Sequence, residues 1–556
     1  MSEQELKLHV PMAFRASVLR EMKQREVARV RLHAMYFDTP ERELARARIA
    51  IRLRQEGAEW VQTLKMPGAD TITRVELNHP RPGPILDLSV YAGTEQEAAL
   101  AALKGELGLR YETDVQRLLR RVRTRQGTVE LAYDTGILRA GALELPISEL
   151  EFELVSGRPA AIFSLARKWQ QRHGLVLDPR SKSERGDALA QLARRLEDVD
   201  AGAEAEREAR RAEAIARFWA PRAAAPVRLE PGMSAPQAMA RVAAECLDQI
   251  ARNASVLAEV DTEGVCRAGN SEHVHQLRVG IRRLRSAWRL FDGWTGPVPA
   301  SLLDDMRRHF AAFGANRDQD VLNETIAPAL ARAGMPMLPA ESAAPQEDAR
   351  AIAGGKAFQS WLLNLLEWSL DVPAAEAPAS GAPPARRARG ADDHAPEPAI
   401  RLEGGPSSSA AARVPAIIPL QAAQPDPASL RKLLARRLRR WHRKVAEAGL
   451  RFAELPLAER HELRKRGKRL RYGLSFAESL LPAGRLRDYR KLLSHVQDVL
   501  GEINDLALAR DHYAARTAAH PEAWFALGWI SARLDELTAE ARRAFQDLAH
   551  GKPFWK

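Results

Sequence analysis

The chain has 556 residues, a formal net charge of +12 at pH 7 and a pI near 9.9. That length is too great for one hydrophobic core and predicts about three folding units. The two cysteines, Cys246 and Cys266, exclude a disulfide scaffold and suit a reducing compartment, while the excess of cations favours a polyanionic partner such as nucleic acid, phosphate polymer or an acidic membrane.

Targeting and membrane signals do not stand out in the sequence. Met1–Lys7 is charged and is followed by no apolar core, so we expect no secretory signal peptide. No stretch approaches the roughly 18 uninterrupted apolar residues that a membrane helix needs. We therefore expect a cytoplasmic protein that has no membrane partner.

Short segments that alternate between apolar and polar residues dominate residues 1–155, with turn residues between them. Two segments, Arg15–Arg29 and Glu95–Leu107, have helical periodicity instead. The predicted strands are Glu3–Val10, Ile49–Arg54, Trp60–Lys65, Val129–Asp134 and Ile147–Val155.

From Pro159 onward the apolar period becomes helical. Ala160–His173 and Glu184–Arg195 are predicted helices, and a connector with a proline-rich break follows them. A long helical region then runs from Ala238 to the end, interrupted by a Pro-, Ala-, Ser- and Gly-rich insert that we expect to be disordered, because it cannot bury enough apolar surface. The predicted units are residues 1–200, the connector 201–235, helical bundles at 236–372 and 428–556, and the insert at 373–427.

Charged residues share one face of several predicted strands; the first strand, for example, carries Glu3, Glu5 and Lys7 on one face. Each strand alone is typical of an antiparallel sheet with one face in water. Together, however, the strands offer cation pairs and carboxylate groups, with no Ser-His-Asp or Cys-His set beside them. The further charged positions are Arg52, Arg54, Lys65, Arg74, Glu76, Arg117, Glu130, Asp134, Glu149, Glu151 and Glu153, followed by Lys182.

This combination of charges suits metal-dependent phosphate chemistry. Asp and Glu oxygens hold Mg²⁺ or Mn²⁺, while Arg and Lys bind phosphate oxygens. A carboxylate about 4 Å from a phosphate charge costs on the order of 4 kcal/mol at an effective dielectric of 20. Several such carboxylates would expel the ligand unless a divalent ion lay between them.

A pattern of one histidine and four cations occurs twice in the helical region, 186 residues apart. Positions +3, +7 and +10 after each histidine fall on one helical face, with +8 on its flank. One such stripe is usually a solvated surface, but its repetition at identical spacing favours a binding function. Neither histidine has a second ligand at helical spacing, so we assign both to phosphate contact or helix packing. The copies are His275, Arg278, Arg282, Arg283 and Arg285, then His461, Arg464, Lys468, Arg469 and Arg471.

A second repeated pattern, a glycine followed by an aspartate, comes after each copy. Gly314 is followed by Asp318, and Gly501 by Asp505, at the same spacing of four residues. The repetition predicts two related helical bundles.

The strand motifs in chain order are Glu3-Gln-Glu5-Leu-Lys7, Tyr36-Phe37-Asp38-Thr39, Arg52-Leu-Arg54, Thr63-Leu-Lys65, Arg74-Val-Glu76, Glu149-Leu-Glu151-Phe-Glu153 and Ser181-Lys182. They resemble the CYTH superfamily of triphosphate tunnel enzymes, whose defining opening is Glu-x-Glu-x-Lys. The resemblance implies an α+β multidomain chain that starts with an eight-stranded antiparallel β-barrel and flanking helices. The charged faces would then point into the barrel, where strand alternation permits them to lie.

The same resemblance implies roles for the charged residues. Lys7 and Glu5 would lie closest to the chemistry. Phosphate would be bound by Arg52, Arg54, Lys65, Arg74, Arg117 and Lys182. Two divalent ions, Mg²⁺ or Mn²⁺, would be held by Glu3, Glu5, Glu76, Asp134, Glu149, Glu151 and Glu153.

Two positions depart from the family pattern. Asn78 stands where relatives often have a second acid after the Arg-x-Glu motif. Leu118-Leu119 follows Arg117, so the neighbouring phosphate cation is either missing or supplied by Arg120 or Arg121.

The helical region resembles the CHAD domain, a module with repeated histidines and charged residues that often follows CYTH. This resemblance implies an all-α domain of two related bundles with affinity for long-chain polyphosphate. We therefore expect hydrolysis of inorganic tripolyphosphate to diphosphate and phosphate in the barrel, and polyphosphate binding by the basic helices, in a protein of the cytoplasm or its polyphosphate granules.

Other functions remain open at this point. The chain is alternatively a non-catalytic polyphosphate-binding adaptor, or it has adenylate cyclase or thiamine triphosphatase activity. The last two need a pocket for an organic base, and no aromatic cluster near the strand motifs indicates one. Nucleic acid ranks low as a partner, because neither zinc-finger spacing nor an aromatic RNA-binding strand motif is present.

Overall fold

The computed structural model describes residues 2–200, 204–260, 269–336, 338, 348–371 and 427–555. Within these residues the chain has the predicted α+β architecture, with an amino-terminal β-barrel followed by an all-helical part. None of the described helices is both long and apolar enough to cross a membrane. The predicted insert lies outside the described residues except for Pro427, where a helix begins.

The strands are β1 (Ser2–His9), β2 (Ala28–Asp38), β3 (Ala50–Glu56), β4 (Glu59–Pro67), β5 (Thr73–Arg81), β6 (Gly108–Arg123), β7 (Gly127–Ala140), β8 (Leu143–Gly157) and the short β9 (Val176–Leu177). All pair antiparallel in the order β5-β4-β3-β2-β6-β7-β8-β1-β9, and an additional pairing of β1 with β5 closes the first eight strands into a barrel. The eight-stranded antiparallel barrel expected from the resemblance is thus confirmed.

Strand β1 forms the seam that closes this barrel. Glu5 pairs with Glu153 of β8, and Glu3 pairs with Arg74 of β5. Because side chains alternate along a strand, these residues share the inner face of the wall. The first, fifth and eighth strands therefore bring charges from distant parts of the sequence together.

Two helices predicted in this region are shorter than expected. The helix predicted at Arg15–Arg29 ends early, as α1 (Arg15–Met22), because residues from Ala28 onward pair with β3 and β6. The helix predicted at Glu95–Leu107 is reduced to α3 (Glu97–Ala101). The backbone N–H groups of Lys104 and Gly105 donate to the Glu43 carboxylate, which belongs to α2 (Glu43–Arg46).

Helices α4 (Ala160–His173) and α5 (Lys182–Asp200) pack on the outside of the barrel. The apolar face of α4 buries Phe163 and Trp169 in a core that also contains Phe152 of β8. Burial of each such side chain contributes about 2 kcal/mol. Helix α5 lies across β6 and β7, and its first turn reaches the end of the barrel.

The helical part starts with α6 (Glu204–Phe218), after which residues 219–234 are irregular and contain the predicted proline-rich break. The pattern of long amphipathic helices is confirmed in the described residues, and α8 and α14, which carry the two repeats, pack against each other. The helices are α7 (Ala235–Leu257), α8 (Ser271–Phe291), α9 (Ala300–Val321), α10 (Ala327–Arg332), α11 (Ala349–Gly354), α12 (Lys356–Asp371), α13 (Pro427–Leu450), α14 (Leu457–Phe476), α15 (Ala483–Ala514) and α16 (Ala523–His550).

Barrel and helices share an interface. The Gln359 side chain on α12 is fully buried, and its Oε1 accepts a hydrogen bond from the Leu177 N–H of β9 at 2.8 Å. Arg167 of α4 forms an ion pair with Glu367 of α12 at 2.5 Å. One continuous apolar core extends from the barrel wall into the helical part.

Candidate active site and polyanion cavity

The barrel encloses a cavity of about 1690 Å³ whose walls are charged. Alternate residues of the strands point into it, so the polar faces that a half-exposed sheet would turn to water are turned inward. Apart from Glu149, every predicted catalytic, phosphate-binding and metal-binding position of the barrel lines this cavity. These residues are Glu3, Glu5, Lys7, Arg52, Arg54, Lys65, Arg74, Glu76, Arg117, Asp134, Glu151, Glu153 and Lys182.

One part of the cavity wall carries carboxylates that repel one another. Glu3 and Glu5 project from β1, and Glu153 projects from the paired position on β8. Burial, followed by the charges of Glu3, Glu130 and Glu5, raises the pKa of Glu153 to about 7. Burial and the charge of a further carboxylate also raise the pKa of Glu3. We call Glu3, Glu5 and Glu153 the acidic wall; a bound cation would reduce the repulsion among these carboxylates.

Cations crowd together on the neighbouring strands. Burial and the adjacent Arg52 lower the pKa of Arg54 to about 10. The buried Nε atoms of both arginines have no hydrogen-bond acceptor among the described residues. On β4, the ammonium group of Lys65 lies 2.7 Å from Glu76 and 3.2 Å from Glu5. The arginine pair can therefore accept an anion, while Lys65 links the cationic strands to the acidic wall.

A second carboxylate group is already neutralised by side chains of the protein. Oxygens of Asp134, Glu149 and Glu151 lie within 4.8 Å of one another. The ammonium nitrogen of Lys182 lies 2.7 Å from Asp134 and 2.8 Å from Glu151, and it also pairs with Glu149. Arg117 makes two hydrogen bonds of 2.7 Å to Asp134 and one of 2.6 Å to Glu151. In this group Lys182 occupies the position of a counter-ion.

Glu149 shares its strand face with Glu151 and Glu153 but does not line the cavity. Its carboxylate pairs with Lys7 at 3.4 Å and with the buried Arg185 at 3.1 Å, in addition to Lys182. Although burial opposes ionisation, these cations hold the pKa of Glu149 at about 2. Lys7 also donates to the carbonyl oxygen of Arg180. The sequence reasoning did not include Arg185, although it follows Lys182 by three residues.

The two departures from the family pattern have structural explanations. Asn78 accepts a hydrogen bond from the Thr63 hydroxyl at 2.8 Å, so its amide is engaged within the wall. The idea that Arg120 or Arg121 supplies a further phosphate cation is wrong. Arg120 donates to the carbonyl oxygen of Glu21 and lies over a tryptophan of α4, and Arg121 is largely exposed, so neither lines the cavity.

Two stacked tyrosines also line the cavity. The ring centroids of Tyr36 and Tyr111 are 4.6 Å apart with nearly parallel planes, and Arg52 donates to the Tyr36 hydroxyl at 3.5 Å. No aromatic cluster was expected here, because the two residues are far apart in the sequence and meet only through the pairing of β2 with β6. Both rings are almost fully buried, so each covers a face of the other.

Charge and proximity favour different groups as a metal site. Asp134, Glu149 and Glu151 are the only three such ligands whose atoms converge this closely among the described residues. Their charge is, however, already balanced by Lys182 and Arg117. In the acidic wall Glu5 pairs with Lys65, but the pKa values of Glu3 and Glu153 are raised, and the wall offers only the oxygen ligands that Mg²⁺ and Mn²⁺ prefer. The acidic wall is therefore the better metal site, because a metal ion beside Lys182 would be repelled.

A second cavity, of about 1150 Å³, lies between the two helical repeats. Most of the predicted polyphosphate-binding residues line it, from both copies. Gly314 of the second repeated pattern lies against Arg278, where a Cβ atom would come within 2.8 Å of the guanidinium, so the glycine leaves room for that cation. The predicted residues that line this basic cavity are His275, Arg278, Arg282, Arg285, His461, Arg464, Lys468 and Arg469.

Two predicted members of the basic set do not line the cavity. Arg283 faces the opposite way and is 3% exposed, with its guanidinium 2.7 Å from Gln249 and 3.4 Å from Glu245 on α7. Arg283 therefore does not line the basic cavity, whereas Arg469, at the same +8 position of the second copy, does. Arg471 lies beside the cavity, over the ring of Tyr472.

Cations in the basic cavity destabilise one another's charge. Burial and the neighbouring guanidinium groups of Arg464, Arg282 and Arg471 lower the pKa of Lys468 to about 6. Burial and nearby arginines also lower the pKa of Arg469 to about 10. A bound polyanion would relieve this repulsion.

Comparison with known proteins agrees with both halves of the structure. The model of the CYTH domain matches residues 1–186, and the model of the CHAD domain matches residues 241–514. The chain thus carries a CYTH domain followed by a CHAD domain.

Individual relatives resemble parts of the chain. An inorganic triphosphatase from Haemophilus influenzae is 33% identical over 161 residues, which are 28% of this chain and 44% of that protein, so the match spans less than half of the relative. The crystal structure of a CHAD domain from Ricinus communis covers 60% of this chain and 99% of its own, at 23% identity and a TM-score of 0.41. A Hippeastrum protein, named as an adenylyl cyclase with a dominant triphosphatase activity, covers 33% of this chain and 93% of its own, at 18% identity and a TM-score of 0.25.

Proposed function

We propose that the barrel hydrolyses inorganic tripolyphosphate to diphosphate and phosphate with the help of Mg²⁺ or Mn²⁺. The observation that carries the proposal is the cavity of the closed barrel, in which crowded arginines and mutually repelling carboxylates lie within one lumen. A short phosphate chain together with divalent cations satisfies both groups at once. The inorganic triphosphatase that resembles part of the chain supports the same substrate class.

Phosphate binding is assigned to the cationic side of the lumen. Arg52 and Arg54 have unpaired buried Nε atoms, and guanidinium groups bind phosphate oxygens strongly. Lys65 and Arg74 lie beside Glu5 and would contact the phosphate nearest the acidic wall. Arg117 and Lys182 would bind the phosphate chain only if their ion pairs with Asp134 and Glu151 were loosened.

Metal binding is assigned to Glu3, Glu5 and Glu153, with Glu76 and Glu151 as neighbours. When bound, divalent cations supply Lewis-acid stabilisation of phosphate charge and lower the pKa of a coordinated water. The acidic wall orients that chemistry toward one end of the substrate. The arginines stabilise charge that develops on the transferred phosphoryl group. Lys7 is held by Glu149 and a backbone carbonyl, which suits it to orient the attacking water or a phosphate oxygen.

Substrate comparison tests this proposal against the alternative activities. We expect phosphate release from tripolyphosphate to exceed release from ATP and thiamine triphosphate, because the two tyrosines of the cavity stack on each other and are almost fully buried, which leaves little ring surface for an organic base. Formation of cyclic AMP, or a higher rate with either nucleotide or thiamine substrate, would support the cyclase or thiamine triphosphatase alternative.

We further propose that the basic cavity binds long-chain polyphosphate. Two observations support this proposal. Residues of both repeats line one cavity, and the pKa values of Lys468 and Arg469 in that cavity are lowered. Retention of polyphosphate without hydrolysis of tripolyphosphate would favour the non-catalytic adaptor. We place the protein, by extension, in the cytoplasm, where polyphosphate granules would attract it.

A further inference from the structure

One end of the barrel cavity is lined by residues that lie outside the CYTH domain. Helix α7 contributes Glu245, Asp248 and Arg252, and the irregular segment before it contributes Arg222. Lys182, at the start of α5, lines the same cavity. The helical part thus supplies a portion of the wall around the candidate active site.

These residues form a continuous chain of ion pairs and hydrogen bonds. Arg252 donates to Asp248 at 2.6 Å and to Glu184 at 3.0 Å. Arg222 links Asp248, at 3.1 Å, to Glu245, at 3.0 Å. Since Glu245 also lies 3.4 Å from the guanidinium of Arg283, the contacts lead from α8 through α7 to α5.

Arg283 on α8 is the buried residue at the first end of this series of contacts. It belongs to the repeated basic pattern, yet it faces α7, where Gln249 accepts its hydrogen bond at 2.7 Å. Gly280 allows the close approach of the two helices, because a Cβ atom there would lie 2.7 Å from the side chain of Ile250. A buried guanidinium needs fixed partners, so α8 and α7 are held in one relative position.

Glu184 lies at the other end of this series of ion pairs. It lies in the first turn of α5, where its backbone N–H donates to the Ser181 hydroxyl at 3.1 Å. Lys182 is two residues away and reaches Asp134 and Glu151 in the cavity. Any displacement of this first turn would move the ammonium group of Lys182.

We propose that Arg252 of the CHAD domain is a positioning residue for the tunnel: through Glu184 it fixes the first turn of α5 and so the location of Lys182, with Arg283 as the anchor on α8. The role in catalysis rests on the proposed function, in which Lys182 is a phosphate ligand. In this proposal Arg252 acts through Glu184 and not by contact with substrate.

Hydrogen exchange and kinetics of the full chain test this inference together. In Arg252→Gln we expect the amides of the first two turns of α5 to exchange faster, and KM for tripolyphosphate to rise about two- to five-fold, the range that a partly exposed ion pair supports. We expect kcat to change less than KM. Arg283→Gln should give a smaller change in the same direction, and Arg252→Lys, which retains the charge, should restore exchange toward the wild-type rate.

Arg167→Gln is the matched control. It removes a different ion pair that crosses the same interface, between α4 and α12, and it should leave α5 exchange and KM unchanged. The inference is overturned if Arg252→Gln has the same α5 exchange as Arg167→Gln, or if its only effect is a lower melting temperature. Absence of hydrolysis by the wild-type chain would instead contradict the proposed function, and the exchange comparison would still decide whether Arg252 positions α5.

Discussion

Carboxylates on one face of a single strand fall into opposite electrostatic states, which their neighbours determine. Glu149 and Glu153 are four residues apart on β8, yet the pKa of Glu149 is about 2 and that of Glu153 is about 7. Lys182, Lys7 and Arg185 surround the first, whereas carboxylates surround the second. The difference separates a structural carboxylate, which holds Lys182, from a candidate metal ligand.

A pH-dependent response to metal follows from the raised pKa of Glu153. Below about pH 7 the carboxyl group retains a proton that a metal must displace, so metal affinity should rise as pH increases through 7. We expect Mn²⁺ to raise the melting temperature more at pH 8 than at pH 6. Without metal, the contribution of Glu153 to stability should fall as pH rises from about 4.5 to about 7, because only the folded chain still holds this proton. Equal metal-induced shifts at both pH values would contradict the assignment.

Replacement of Glu153 by Gln should lower kcat/KM for tripolyphosphate by about 100-fold, the equivalent of roughly 3 kcal/mol of lost transition-state stabilisation. The change removes one oxygen ligand and its charge from the acidic wall. Glu144→Gln is a suitable control, because Glu144 is an exposed residue at the far end of the same strand. Similar kinetics for the two variants would exclude Glu153 as a metal ligand.

Sequence motifs and strand alternation identified the charged strand residues that line the barrel cavity, but not their partners. Glu3, Glu5 and Glu153 follow from alternation together with the family motif. The pairing of Lys182 with Glu149 depends on how α5 enters the end of the barrel, and spacing carries no information about that. Spacing also did not show that Arg283 faces α7 while Arg469, at the same +8 position, lines the basic cavity.

At the scale of elements, the repeated basic pattern corresponds to two helices that pack together and line one cavity. Helices α8 and α14 face each other, and their cations enclose a single cavity. Each helix buries an apolar face, which includes Leu277 and Ile281 on α8 and Leu470 on α14. Burial of these faces offsets the repulsion between the two like-charged helices. The helices remain in contact while their basic faces lie ready for a polyanion.

Charge reversal on α8 should separate the two proposed activities. In Arg282→Glu combined with Arg285→Glu, we expect polyphosphate retention to be lost and the salt dependence of residual binding to weaken, because fewer counterions are released. Tripolyphosphate hydrolysis should remain. Reversal of the exposed Arg542 and Arg543 on α16 makes the same change in net charge and should preserve both activities. If the α8 variant lost both tripolyphosphate hydrolysis and polyphosphate retention, the two activities would not belong to separate sites.

Element prediction succeeded where periodicity was strong and failed where long-range pairing decided the structure. The helices α4 and α8 have apolar stripes that are evident in the sequence. Residues Ala28–Asp38, by contrast, have many charges at their start, and only pairing with β3 and β6 makes them a strand. Closure of the barrel likewise depends on β1 meeting β5, for which the family resemblance was the only guide.

The whole molecule combines two charged cavities, one in the barrel and one between the helical repeats. The barrel cavity contains unbalanced carboxylates, whereas the basic cavity is lined mainly by cations. A chelator should therefore abolish tripolyphosphate hydrolysis and leave polyphosphate retention intact. Binding assays with and without a chelator on one preparation check this, and loss of retention would indicate that metal also bridges the basic cavity.

Phosphate release from tripolyphosphate by the purified full chain tests the central claim most directly. With Mg²⁺ or Mn²⁺ present, we predict one phosphate and one diphosphate for each tripolyphosphate, and near-complete loss of this reaction in Glu5→Gln. No phosphate release by the wild-type chain, or equal release by Glu5→Gln, would contradict the account.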